Sequence, residues 1–207
     1  MVNPPALDAQ DHARLTEEIR KAENRTSGEI YVVVAHSADD FRLVPILWAA
    51  VFALMLAWAL HLATSLSATL ILSLQSLGFL GLAIVLSLPG LRYRIVPPAL
   101  AEDAAHRAAT AQFMAHGVHL TEARTGVLVY VSMIPRRIEI IADSGIHAKV
   151  PPDTWDRTVA LVASEARAGR LTDGLAAAIR TIGDCLAQHF PRGPADRNEL
   201  ANRVIET

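Results

Sequence analysis

The chain has 207 residues, 19 basic and 21 acidic, for a formal net charge of −2, and 52% of its residues are hydrophobic. That balance offers no basic footprint for nucleic acid, so no nucleic-acid partner is expected. A single cysteine, Cys185, excludes an internal disulfide, and its position on an apolar helix face predicts a small buried hydrophobe.

The first element is a helix capped by Asp8 and running to about Arg25, with Leu15, Ile19 and Ala22 on its apolar face and Glu17 and Lys21 as an i,i+4 pair. Glu29 to Ala35 follows as a β-branched run, apolar on both faces, which predicts an interior strand. Then comes the dominant feature of the chain. From Leu43 to Leu91 there is no Asp, Glu, Lys or Arg, so all the formal charge lies in the flanking segments.

A bilayer core is crossed by about 20 apolar helical residues, so this run is long enough for two spans, predicted at Val44 to Ala63 and Ala68 to Leu88. The turn Thr64-Ser65-Leu66-Ser67 makes them antiparallel and returns the chain to the side it left. A cleaved signal peptide does not account for the run, which is too long and too internal. Arg42, Arg92 and Arg94 flank the spans on the soluble-domain side and the turn carries no positive charge, which predicts an inner (plasma) membrane protein, multi-pass, with a cytoplasmic domain. The lipid bilayer is thus an expected partner. Gly78 and Gly81 serve close approach of the two helices or, alternatively, a homo-oligomer seam. His61 is read as interfacial.

Beyond the hairpin, Pro97 and Pro98 open a helix from about Ala99 to His116, ended at Gly117. Gly126 to Met133 predicts a second interior strand, and Pro135-Arg136 turns the chain into a third from Arg137 to Asp143. The long connection between the first two strands allows a parallel crossover, and the short one makes the third antiparallel to the second. Two helices then carry the stripes Trp155, Val159, Val162, Ala166 and Leu175, Ile179, Ile182, Leu186. The tail from Pro191 to Thr207 is expected to be an extended segment able to dock on the domain. The expected organisation is therefore a first half-domain at 1–42, a transmembrane hairpin at 43–91, the second half-domain at 92–190 and a tail at 191–207.

No phosphate-binding glycine loop, Gly-x-Ser-x-Gly, His-Glu-x-x-His or Cys-x-x-Cys is present. Chemistry has to come from convergence in the fold. The strand directions bring Thr26 to Glu29, Arg124 to Gly126, and Asp143 to His147 to one sheet edge, placed distal to the membrane because the opposite end of the first strand feeds the first span. One reading is a polar site: Arg124 and backbone N–H groups holding an anion, with Ser27, Glu29, Thr125 and Gly145 as ligand-binding positions, or a divalent cation on Glu29 and Asp143. The other is that Arg124 and Asp143 pair across the hairpin while the glycines serve turns. His116 and His119 have metal-ligand spacing but no third ligand in sequence, and a capping role is expected.

The stretches Arg25-Thr-Ser-Gly-Glu-Ile-Tyr-Val-Val-Val, Thr125-Gly-Val-Leu-Val-Tyr-Val-Ser, Arg136-Arg-Ile-Glu-Ile-Ile-Ala-Asp-Ser-Gly-Ile-His and Asn198-Glu-Leu-Ala-Asn-Arg resemble the bacterial membrane branch of the TPM domain family. The resemblance implies an α/β/α sandwich around a small mixed sheet. It also implies one of two activities: an accessory or protein-interaction role in membrane-protein maintenance, with a membrane-protein partner, or a phosphatase-like phosphomonoesterase. For the enzyme the cast is Asp143 as nucleophile or metal ligand, Arg124 on the phosphate and His147 as acid/base. Asp143 and Gly145 match the family pattern at the end of the third strand. Arg124 stands where the family places an acidic residue, and a basic side chain there repels a cation.

Overall fold

The computed structural model describes residues 7–151, 153–193 and 198–207. It divides into two compact units, Met1–Ala38 with Glu102–Thr207, and Asp39–Ala101, so the second unit extends past both ends of the charge-free run.

In the first unit, α1 (Ala9–Glu23) starts at Asp8, which forms a capping box with Asp11, and buries Leu15, Ile19 and Ala22. The helix ends two residues short of the expected Arg25. The expected Glu17–Lys21 pair is replaced by two i,i+3 pairs, Glu17–Arg20 at 2.7 Å and Glu18–Lys21 at 3.0 Å, because Glu17 is taken by the nearer guanidinium fork. β1 (Glu29–Ser37) is buried from Glu29 through Ala35.

The second unit holds α2 (Leu43–Ala63), α3 (Ala68–Leu86), the short α4 (Pro89–Arg92) and a 3₁₀ turn at Tyr93–Ile95. α2 and α3 are long and apolar enough to cross a membrane, and only 22% and 6% of their most apolar windows are buried. A core helix of a soluble protein would be covered, whereas here Leu47, Met55, Trp58, Leu72 and Leu77 stand exposed. The two helices pack through small residues: Ala49 and Ala53 are buried, and a Cβ on Gly78 would sit 3.2 Å from Leu56 Cδ2. Nothing lies within 4 Å of the corresponding point on Gly81, so only the first glycine of the pair serves this contact.

α5 (Pro98–Ala115) brings the chain to β2 (Gly126–Ile134) and β3 (Arg137–Ala142). Then come α6 (Ser144–His147), α7 (Asp153–Arg167), α8 (Leu171–His189) and β4 (Val204–Glu206). The sheet order is β3-β2-β1-β4, with β2 and β4 parallel to β1 and β3 antiparallel to β2. α1, α7 and α8 cover one face, on Ile30, Val32, Val34, Val127, Val129 and Val131. α5 covers the other, where Ala109 and Phe113 meet Tyr31, Val33, Leu128 and Tyr130. This is the expected α/β/α arrangement around a small mixed sheet. Cys185 is half-buried beside the first cluster, and burial pushes its thiol pKa up.

β4 is the element that periodicity does not reveal. Three residues carry too little pattern to be read as a strand, yet Val32, Val33 and Val34 pair with Val204, Ile205 and Glu206. His36 N donates to Thr207 O at 2.7 Å, and Glu206 Oε1 accepts from Leu7 N at 3.1 Å.

The α1–α8 contact supplies a test of packing. A Cβ on Gly183 would meet Ala22 Cβ at 2.6 Å, a stub that cannot swing away. Gly183→Ala should lower the thermal midpoint, because overpacking of about 1–3 kcal/mol outweighs a helix-propensity gain of about 1 kcal/mol. Gly81→Ala, made into open space, should leave the midpoint unchanged or raise it.

Candidate functional site

The start of β1, the start of β2 and the end of β3 do meet at one sheet edge. Glu29 pairs with Gly126 and Val127 with Ala142, so Arg124, Thr125 and Asp143 lie beside Ser27. Backbone geometry pins them. Arg124 has φ +54, in the left-handed region, its N–H donates to Thr121 O at 3.1 Å, and its carbonyl accepts from Gly145 N at 3.2 Å. Gly145 is required there: a Cβ would lie 2.6 Å from Arg124 O and 2.7 Å from Ala123 O. Thr125 Oγ1 donates to Ser27 O at 3.0 Å, and Asp143 N donates to Gly126 O at 2.9 Å.

Asp143 is buried at the edge, with 8% exposure. Its Oδ1 accepts from Ser144 N at 2.6 Å and Ser144 Oγ at 3.1 Å, holding the turn into α6. Its Oδ2 is buried without a hydrogen-bond partner among the described residues, and Arg124 Nη1 stands 3.9 Å away. At that separation the pair is an ion pair of loose geometry, weaker than a direct charge-assisted hydrogen bond. His147 is exposed at the end of α6, attached to the site through its N–H, which donates to Asp143 O at 3.3 Å.

Glu29 is used elsewhere. Its Oε1 accepts from Glu199 N at 3.0 Å, and it lines a recess of about 210 Å³ with Glu23, Thr26, Arg192, Asn198 and Asn202. The two carboxylates expected to share a cation, Glu29 and Asp143, therefore serve different groups on this edge. Among the described residues no three His, Cys, Asp or Glu side chains form a metal-holding group. His116 is engaged by Tyr31 Oη at 3.1 Å and Gln112 Oε1 at 3.0 Å, and burial holds its pKa below the ordinary value.

The Glu23 recess is the part that reading the sequence missed. Glu23 closes α1 and is almost fully buried; its Oε1 accepts from Ile30 N at 3.0 Å, and its Oε2 accepts from the Asn202 amide. Burial, with the neighbouring Glu29 charge adding to it, pushes its pKa from 4.5 up to about 8. An acidic residue at the end of an amphipathic helix reads as solvated; only the returning tail covers it. The signal was present in Asn198-Glu-Leu-Ala-Asn-Arg, whose Asn202 makes the closing bond.

The fold is an α/β/α domain with a glycine-pinned polar edge, interrupted in sequence after its first strand by two long apolar helices. Residues 92–185 match the family model described as the TPM domain. The fold is similar to the NMR structure of BA42 protein from the psychrophilic bacterium Bizionia argentinensis, with TM-score 0.63 and 20% identity over 100% of this chain and 99% of that one. No curated protein matches the chain.

The raised Glu23 pKa sets a pH window. A folded state that holds the proton more tightly than the unfolded chain gains stability that is complete below pH about 4.5 and is lost as pH rises through about 8. Denaturant melts across pH 5–9 should show declining stability, and Glu23→Gln should flatten the profile.

Proposed function

We propose that this protein is a membrane-anchored TPM domain acting as an accessory or interaction module in membrane-protein maintenance. The observation that carries this reading is the use made of Asp143. A carboxylate nucleophile has to be reached by the phosphorus centre and helped by an activating base or metal. Asp143 is 8% exposed, with one oxygen committed to Ser144, so it holds the edge in shape. What the edge offers outward is the guanidinium of Arg124, 55% exposed, with Ser144 and His147 beside it. Those groups suit the polar surface of a partner protein. The alternative reading is a phosphatase-like hydrolase, favoured by the unbonded Asp143 Oδ2 next to Arg124, with a divalent cation supplied at the edge. Two spans in the inner membrane and a domain on the cytoplasmic side complete the proposal, supported by the apolar helices and their flanking arginines.

Full-length protein purified in neutral detergent should give no turnover of p-nitrophenyl phosphate, with Mg²⁺, Ca²⁺ or chelator, that Asp143→Asn and Arg124→Ala both abolish. A photo-crosslinking amino acid in place of His147 should capture a membrane protein in cells. Turnover removed by both variants, in protein whose melt is unchanged, would establish the hydrolase instead. Asp143→Ala should cost about 1 kcal/mol through its lost cap. Orientation is read by thiol labelling in a Cys185→Ala background: Ser65→Cys should react from outside intact cells and Asp156→Cys should not.

A further inference from the structure

The other end of the sheet carries a second, separate cavity. β2 runs from Gly126 at the polar edge to Ile134, and β3 runs back from Arg137, so the length of a nine-residue strand, roughly 25 Å, separates the two ends. There, between the edge strand β3 and α7, lies a recess of about 410 Å³, within the range of small-molecule sites. Its floor is aliphatic, formed by Val131, Ile138, Val159 and Ala163, and three guanidinium groups line it, from Arg136, Arg137 and Arg167.

The charges around this recess are unevenly matched. Glu139 lies 3.7 Å from His106 Nδ1, an ion pair only when that imidazole is protonated, and Glu102 lies 3.9 Å from Arg137 Nη2. Arg136 and Arg167 are exposed and have no carboxylate partner among the described residues. Arg137 Nε is buried there without a hydrogen-bond partner among them. A buried donor left unmade is costly, and an anion is the group that satisfies it together with two unpaired guanidinium groups. An aliphatic floor adds the requirement for an apolar body. Inorganic phosphate lacks the second feature and a neutral lipid the first.

We propose that this recess binds a single-chain acidic amphiphile, a free fatty acid in the simplest case, with its carboxylate among Arg136, Arg137 and Arg167 and its alkyl chain against Val131, Ile138 and Val159. The site is independent of the Asp143 edge and stands whether that edge serves a partner or a phosphate ester.

The test uses the full chain in phosphatidylcholine nanodiscs with a diazirine-bearing palmitate, and reads the cross-linked positions by mass spectrometry. Labelling is expected at residues 131–138 and 159–167. It should fall by about tenfold or more with diazirine-bearing hexadecanol, which lacks the charge, and in the Arg136→Ala/Arg167→Ala variant, which removes two charge-assisted contacts. Ala163→Trp, which fills the floor and leaves the arginines in place, should abolish it. Labelling of the exposed helices 43–63 and 68–86 should not change and serves as the internal reference. Should Ala163→Trp fail to fold, the arginine variant decides alone, since both side chains are on the surface. Cross-links confined to the apolar helices, equal labelling by hexadecanol, or labelling untouched in variants with a native melt would overturn the proposal. So would labelling of the recess by a diazirine phosphatidylglycerol and not by the palmitate, which would assign it to bilayer lipid.

Discussion

The backbone of β1 is buried along seven consecutive residues, and every N–H and C=O in such a strand has to find a partner inside the protein. The rest of the first unit is arranged by that demand. One side of β1 is satisfied by β2, whose first residue is Gly126, and the other by Val204 to Glu206 along Val32 to Val34, with Glu23 Oε1 accepting from Ile30 N and Thr207 O from His36 N. Between β1 and β2 the chain makes its whole excursion through α2 and α3. A strand that had to be paired by neighbours in sequence would not tolerate such an insertion. A parallel partner reached by a long crossover does, since loop-closure cost grows only slowly with length.

The same pairing gives the sheet two chemically different ends. At the start of β1 the parallel register sets Glu29 beside Gly126, and the β2–β3 hairpin returns Asp143 to the same level, so turns rich in hydroxyls and glycine gather there. Close approach of backbones shapes this end: Gly145 fits under Arg124 O, and Gly126 fits against Val118. At the far end the hairpin turn projects Arg136 and Arg137 next to the aliphatic face of α7. A polar edge and an arginine-lined apolar recess are thus both products of one register.

Local pattern was sufficient wherever a stretch of chain carried its own signal. The charge-free run announced two apolar helices, and the structure places them at Leu43–Ala63 and Ala68–Leu86, within two residues of the expected limits. Asp8 capped its helix, Leu175, Ile179, Ile182 and Leu186 formed a buried stripe, and the three longer strands took the expected directions. The candidate edge followed from those directions alone. Its internal wiring did not: that Asp143 Oδ1 is spent on Ser144, and that Glu29 turns to Glu199, depends on rotamers and on what lies alongside.

Sequence by itself determined the fold class, the two long apolar helices and the meeting of three chain segments at one edge, because periodicity, turn residues and charge distribution act over a few residues and are written along the chain. Tertiary structure decided the rest. A three-residue strand such as β4 is stable only because β1 presents an unpaired edge to it, and Glu23 becomes a buried proton-holding group only when the tail closes over it. The recess between β3 and α7 is lined by residues of both elements and of the arginine turn, brought together only in the folded chain. Contacts of that kind depend on packing geometry between elements, which no local pattern encodes.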